Sequence, residues 1–233
     1  MPADRKKKIL QEIKKKNFPL ALTMIDHALG DEPDDPELLY NFGVCCFRTG
    51  NFKKSIAVME DILLKFPRFI ERDNIYRIII YSHINTKEYN RAMEIANERL
   101  KLNVGDLRLL SFKAHILEKQ GKIPEAIDTH KQILRINPEY KNSLNSVGFL
   151  LVTKPGATQN ELSLATECLK KILKDSPENP AYLDSFAVLL GKKGNREAAI
   201  KALKKALYYL PSNGEILDHL EELIKETPKI SKV

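Results

Sequence analysis

A 34-residue spacing recurs along this 233-residue chain and restricts its fold more than any other feature. Pro33 and Pro67, Ala92 and Ala126, and Pro177 and Pro211 are each separated by 34 residues. Thr49 to Pro67 reads TGNFKKSIAVMEDILLKFP, Gln120 to Pro138 reads QGKIPEAIDTHKQILRINP, and Lys193 to Pro211 reads KGNREAAIKALKKALYYLP. Thr86 to Leu100, TKEYNRAMEIANERL, keeps the pattern without a closing proline. Each segment is a turn, then a small residue (Ser55, Ala92, Ala126 or Ala199), then an apolar stripe. Repeats of about 20–50 residues are single supersecondary units that bury their apolar faces only by stacking on one another.

A second stripe lies upstream of the turns. Leu39, Phe42, Gly43 and Cys46 form one, Leu144, Val147, Gly148 and Leu151 another, and Leu183, Phe186, Ala187 and Leu190 a third. The i, i+3, i+4, i+7 spacing places each set on one helical face. Each unit therefore reads as two amphipathic helices joined by a short turn. The chain has only 10 glycines, as expected of helix pairs with few forced turns, and 43% apolar residues, enough to build a core. Local signals agree. Asp35 before Pro36 and Asn179 before Pro180 are helix N-caps followed by proline at the first helical position. Thr158-Gln159-Asn160-Glu161 is a capping box that restarts a helix after a long turn.

These units resemble the tetratricopeptide repeat (TPR) family, which carries large and small residues on the first helix, alanines on the second, and a closing proline. Unit 36–69 carries Leu39, Phe42, Gly43, Cys46, Ser55, Met59, Ile62 and Pro67. Unit 107–140 carries Leu110, Ala114, Leu117, Ala126, Ile133 and Pro138, and unit 180–213 carries Leu183, Phe186, Ala187, Leu190, Ala199, Leu203, Ala206 and Pro211. Unit 2–35 keeps Ala21, Ala28 and Pro33 behind a short lysine-rich first helix. Unit 73–106 has Val104 in place of the proline and Arg99 in place of a small residue, and unit 141–179 has an extended turn at residues 153–159. The family's usual Trp is absent throughout. Residues 214–226 continue the stripe with Leu217, Leu220 and Ile224 as a capping helix, and 227–233 remain as a tail. The resemblance implies an all-α, right-handed superhelical solenoid of helix-turn-helix repeats, read as one continuous array over 2–226.

The same resemblance implies a concave groove lined by first helices, with ligand-facing residues at the second, fifth, ninth and twelfth places of each unit. Among these places, Tyr40, Phe47, Asn74, Arg77, Tyr81, Arg108, His115, Asn142, Asn145 and Phe149 form the expected peptide-binding set. Asparagine can bond an extended backbone as donor and acceptor together, arginine takes a carboxylate bidentately, and aromatics anchor. The C-terminal end of the groove, at Asp184, Glu215, Asp218 and Glu222, is acidic. Relatives that bind chaperone C-termini clamp the carboxylates with Lys and Asn, then Asn, then Lys with Arg on three successive first helices. The corresponding residues here are Tyr40/Val44, Arg77/Tyr81 and Ser111/His115. Only Arg77 matches in type, so that class of partner is not expected.

The residues give no sign of catalysis. His27, His83, His115, His130 and His219 do not pair with cysteines or each other at ligand spacing. His83 and His130 sit on apolar stripes as seam histidines. Cys45 and Cys46 diverge by about 100° on a helix, so they are no dithiol site. Cys46 and Cys168 read as packing residues. Phosphate-binding glycine loops and a nucleophile elbow are missing, so no enzyme and no cofactor or metal is expected. The expected partner is another protein, through a peptide segment, with a homodimer through the end units as one alternative. The mixed fifth-place residues (Tyr40, Arg77, Ser111, Asn145, Asp184) do not form the base-reading code of the related pentatricopeptide proteins. Nucleic acid is therefore not expected in the groove.

The formal net charge of +7 is local. Residues 1–20 carry +5 and residues 21–233 only +2. Arg5 to Lys8 and Lys14 to Lys16 surround Ile9, Leu10 and Ile13 on an amphipathic helix. That helix either caps the array or meets anionic lipid or an acidic partner, which leaves a nucleic-acid or membrane-surface role as a further alternative. No run reaches the roughly 18 apolar residues of a spanning helix. The basic N-terminus lacks the apolar core of a secretory signal, and three cysteines make no disulfide framework, so a cytoplasmic location is expected.

Overall fold

The computed structural model describes residues 3–225, which form thirteen helices with no strand among the described residues. The expected boundaries at residues 2 and 226 and the tail at 227–233 lie outside them. The helices group into two compact units, residues 1–120 and residues 121–233. The first unit holds α1 (Ala3–Lys14), α2 (Phe18–Asp31), α3 (Pro36–Arg48), α4 (Phe52–Lys65), α5 (Arg72–Asn85), α6 (Tyr89–Leu102) and α7 (Leu107–Lys119). The second holds α8 (Ile123–Ile136), α9 (Lys141–Thr153), α10 (Gln159–Asp175), α11 (Pro180–Lys192), α12 (Arg196–Tyr209) and α13 (Gly214–Lys225). Within each unit every helix packs on its successor. The odd-numbered helices also touch one another, α3 to α5 to α7 in the first unit and α9 to α11 to α13 in the second. Such nearest-neighbour stacking is the construction of an α-solenoid.

The helix starts follow from the caps. Asp35 Oδ1 accepts the backbone N–H groups of Glu37 and Leu38 at 3.0 and 2.9 Å. Asn179 Oδ1 does the same for Ala181 and Tyr182 at 3.0 and 3.3 Å. Both bonds of the Thr158/Glu161 box form, so α10 restarts where the extended turn ends. Lys154 also reaches the Glu161 carboxylate, and with the Thr158 backbone it holds that carboxyl down at about 2.

The repeated small residues are core residues. Ala92, Ala126 and Ala199 are fully buried. Ser55, also fully buried, donates its Oγ to the carbonyl of Gly43 on the facing helix at 2.9 Å. A Cβ at Gly148 would lie 2.5 Å from Leu169 Cγ, so glycine is needed there for the α9–α10 approach. Turns between paired helices use a left-handed residue, glycine at 50, 121 and 194 with φ of 79°, 72° and 77°. Two turns place lysine there instead, Lys16 with φ 61° and Lys87 with φ 63°. The first core of the chain joins Ile9 of α1 to Ala21, Ile25 and Ala28 of α2 and to Leu38, Phe42, Cys45 and Cys46 of α3. The lysine-rich first helix is thus docked by its apolar stripe. Arg5 bonds Asp31, and Lys6 bonds Asp35 at 2.5 Å and Glu37 at 3.1 Å. At the other end, Ile216 of α13 joins Leu183, Ala187, Ala199, Leu203 and Ala206.

Candidate binding face

In the first unit, α3, α5 and α7 present one face whose middle is an aromatic ladder. Phe47 of α3 meets Tyr81 of α5 edge-on at 5.3 Å between centroids, and Tyr81 meets Phe112 of α7 at 6.2 Å. Phe52, at the start of α4, extends the row against Phe47 at 6.0 Å, and the Arg48 guanidinium lies 5.8 Å from the Phe47 ring. Tyr81 is nevertheless 44% exposed. An open depression lined by Phe47, Arg48, Phe52, Tyr81 and Asn85 ends the ladder. Edge-to-face pairs of this kind contribute about 0.5–1.5 kcal/mol each beyond area burial, which holds the rings in place.

A polar cluster lies on the same helices, nearer their N-termini. Glu71 accepts from Asn74 Nδ2 at 2.5 Å, and Asn74 Oδ1 accepts from Arg77 at 3.1 Å. The second Arg77 nitrogen donates to Asp106 Oδ2 at 2.8 Å. Asp106 is also the N-cap of α7, its other oxygen taking the N–H groups of Arg108 and Leu109 at 2.9 and 3.1 Å. Burial alone would push the Asp106 carboxyl up. The Arg77 guanidinium and the two backbone donors outweigh it and hold the group below its usual range. Tyr40 packs on Phe69 at 5.7 Å, and burial together with the Glu71 charge raises its hydroxyl.

The expected first-unit residues therefore fall into two groups. Phe47 and Tyr81 share the ladder, and Tyr40, Asn74 and Arg77 share the polar cluster. The Arg77 guanidinium already spans Asn74 and Asp106. Arg108 and His115 lie exposed on α7. Phe112, Phe52 and Phe69 were not expected in the face. Phe112 lies one residue past the counted fifth place of its unit, and only the ladder contact reveals it.

In the second unit, α9 carries Asn142, exposed, and Asn145, whose Oδ1 is buried without a hydrogen-bond partner. Phe149 lies 6.4 Å from the His219 ring of α13. His219 Nδ1 is 2.7 Å from Oδ1 of Asp184, a carboxylate only 9% exposed. A carboxylate only accepts, so Nδ1 is the donor. That bond raises the His219 imidazole above its ordinary value against the opposing effect of burial. Beside it opens a cavity of about 500 Å³ lined by Val152, Val188, Gly191, His219, Glu222 and Leu223. Asp184 and Glu222 thus both act on His219, which its spacing in the sequence does not single out.

The thiols are packing groups. Cys45, Cys46 and Cys168 are buried, and desolvation pushes Cys45 and Cys168 up to about 11, far from a reactive thiolate at neutral pH. His83 and His130 are buried at helix seams, with Nδ1 2.5 Å from Glu88 and 3.0 Å from Ser143 respectively. Among the described residues, no group of three or more His, Cys, Asp or Glu is placed to hold a metal ion. No described helix is long and apolar enough to cross a membrane.

Comparisons with known proteins agree on the repeat. Two segments match family models described as tetratricopeptide repeat, residues 12–74 and residues 182–213. TPR repeat-containing protein PA4667 of Pseudomonas aeruginosa is 26% identical over 138 residues, which are 59% of this chain and 22% of that protein. The chain spans 22% to 27% of the length of the curated relatives it matches. Among solved structures, PilF of Pseudomonas aeruginosa superposes with a TM-score of 0.71 at 15% identity, covering 94% of this chain and 96% of that one. YrrB, described as a TPR protein with an unusual peptide-binding site, gives 0.57 at 16% identity, covering 84% and 97%. At such identities the likeness carries the fold.

Proposed function

This chain belongs to the tetratricopeptide repeat family, and on that premise we propose that it is a non-catalytic adaptor that holds a partner's peptide on its first-helix face. A repeat solenoid of this family is a protein-interaction scaffold. The finer reading, a peptide site at the aromatic ladder, rests on one observation. Tyr81 is clamped between Phe47 and Phe112 yet remains 44% exposed beside Arg48 and Asn85. A rigid, partly exposed aromatic next to an amide and a guanidinium gives an anchor and hydrogen-bond donors at low ordering cost. The YrrB description, a peptide-binding site on a similar fold, supports the same reading. The three buried free thiols suit the reducing cytoplasm expected from the sequence.

The test uses a peptide selected on the immobilised chain from a random library, with affinity read by fluorescence polarisation. Tyr81→Ala is expected to weaken binding about tenfold or more, as loss of an aromatic anchor does. Arg48→Ala, at the rim, is expected to weaken it less. Unchanged affinity in Tyr81→Ala, with the fold intact by circular dichroism, contradicts the groove reading.

A further inference from the structure

The cavity of the second unit is a site in its own right. At about 500 Å³ it has the size of a small-molecule pocket, and it lies among α9, α11, α12 and α13. Val152 and Leu203, 1% and 0% exposed, form its floor, and Val188 and Leu223 complete an apolar wall. One residue keeps it open. At the twelfth place of their units α3 and α5 carry Phe47 and Ile84, where α11 carries Gly191. A Cβ at Gly191 would lie 3.1 Å from Leu223 Cδ2, so a larger side chain there enters the cavity.

The polar lining is balanced in sign. Lys192 and Glu222 both line the cavity and both are exposed, and neither has a hydrogen bond or salt bridge among the described residues. Glu222 acts on His219 through its charge alone. Charged neighbours are engaged elsewhere. Asp184 accepts from His219, Lys154 is bonded to Glu161, Lys193 to Thr166 and Lys225 to Glu221. Arg196 donates to the carbonyls of Leu223 and Ile224 at 2.7 and 2.9 Å, which pins the end of α13 beside the cavity. Glu215 and Asp218 of α13 are not part of the described lining. Thr153 donates its hydroxyl to the Phe149 carbonyl at 2.9 Å.

We propose that this cavity binds a small zwitterion with an aliphatic body, a free amino acid or a dipeptide of the leucine type. Its ammonium meets Glu222, its carboxylate meets Lys192, and its side chain rests on the apolar wall. Charge decides for a ligand that carries both signs. A cation alone pairs Glu222 but crowds Lys192, and an anion alone does the reverse, so each leaves one charge desolvated and unmatched. Length decides against a longer peptide. Every further residue brings a backbone N–H and C=O, and the described lining has no asparagine or glutamine to pair them. The site is separate from the aromatic ladder, and the proposal does not depend on the peptide reading.

The test is isothermal titration calorimetry of the full chain with L-leucine, Leu-Leu, N-acetylleucine, leucinamide and glycine. Leucine or Leu-Leu is expected to bind, and the tighter of the two names the source of the zwitterion. Blocking either terminal charge is expected to weaken binding about fivefold, as loss of an exposed ion pair does. Glycine, without a side chain for the wall, is expected to bind more weakly still. Glu222→Gln is expected to bind leucine and N-acetylleucine alike, and Lys192→Gln to bind leucine and leucinamide alike. Gly191→Leu is expected to abolish binding by filling the cavity, and the two charge variants decide if it disturbs the circular dichroism melt. No heat from leucine or Leu-Leu at millimolar concentration overturns the proposal. So do blocked ligands that bind as tightly as leucine, or charge variants that still discriminate between them.

Discussion

Asp106 joins two tasks in one side chain: it caps α7 and holds Arg77. Asp106→Ala should cost about 1 kcal/mol for the cap alone. Because the folded carboxyl titrates below 3.8, its contribution is present at neutral pH and is lost as pH falls through the folded value. Asp106→Asn should therefore flatten part of the acid limb of a melting-temperature profile, while Arg77→Ala leaves the cap in place and shifts the profile less. A second residue prediction concerns Lys87, held at φ 63° where the turns at 50, 121 and 194 use glycine. A non-glycine residue in that region carries roughly 1 kcal/mol of strain, so Lys87→Gly should raise the melting point. A lower melting point would show that the Lys87 side chain contributes more than its backbone costs.

Helix ends and helix pairs were the most legible level. Asp35, Asn179 and the Thr158 box could be read because a cap and the N–H groups it serves lie within three residues of each other. The alanines could be read because a buried small residue recurs every repeat. The contacts that build the binding face could not. Arg77 reaches Asp106 across 29 residues and His219 reaches Asp184 across 35, and period alone does not say which polar side chains meet there. The His219 pair makes an element-scale prediction. The imidazole is raised above 6.5 when folded, so the stability it lends is full below 6.5 and is lost as pH rises through the folded value. Facing it are Asp184 of α11 and Glu215 and Glu222 of its own helix. The protection of α13 amides, relative to the intrinsic exchange rate at each pH, should therefore fall between slightly acidic and slightly alkaline pH, and His219→Gln should remove that fall. Gly148→Ala should destabilise the fold by the cost of overpacking, about 1–3 kcal/mol, and so lower the melting point, as α9 is pushed from Leu169.

At the scale of the molecule, the repeat accounts for the fold and the distribution of charge. The +7 that first suggests a nucleic-acid binder is mostly one helix, and part of that helix is spent inside the protein: Arg5 on Asp31 and Lys6 on Asp35 and Glu37. The proposed peptide site, the first-helix face with its aromatic ladder, is legible in outline through Phe47 and Tyr81 because they stand one repeat apart on successive first helices. Phe112 was not legible, because ring contacts depend on neighbours that the periodicity does not specify. The most direct measurement is a crystal structure of the chain with a library-selected peptide bound. The account predicts the peptide's anchor side chain against Tyr81, between Phe47 and Phe112, with Asn85 or Arg48 bonded to its backbone or polar groups. A peptide seated on the second helices, or on α3, α5 and α7 without contact to Tyr81, contradicts it.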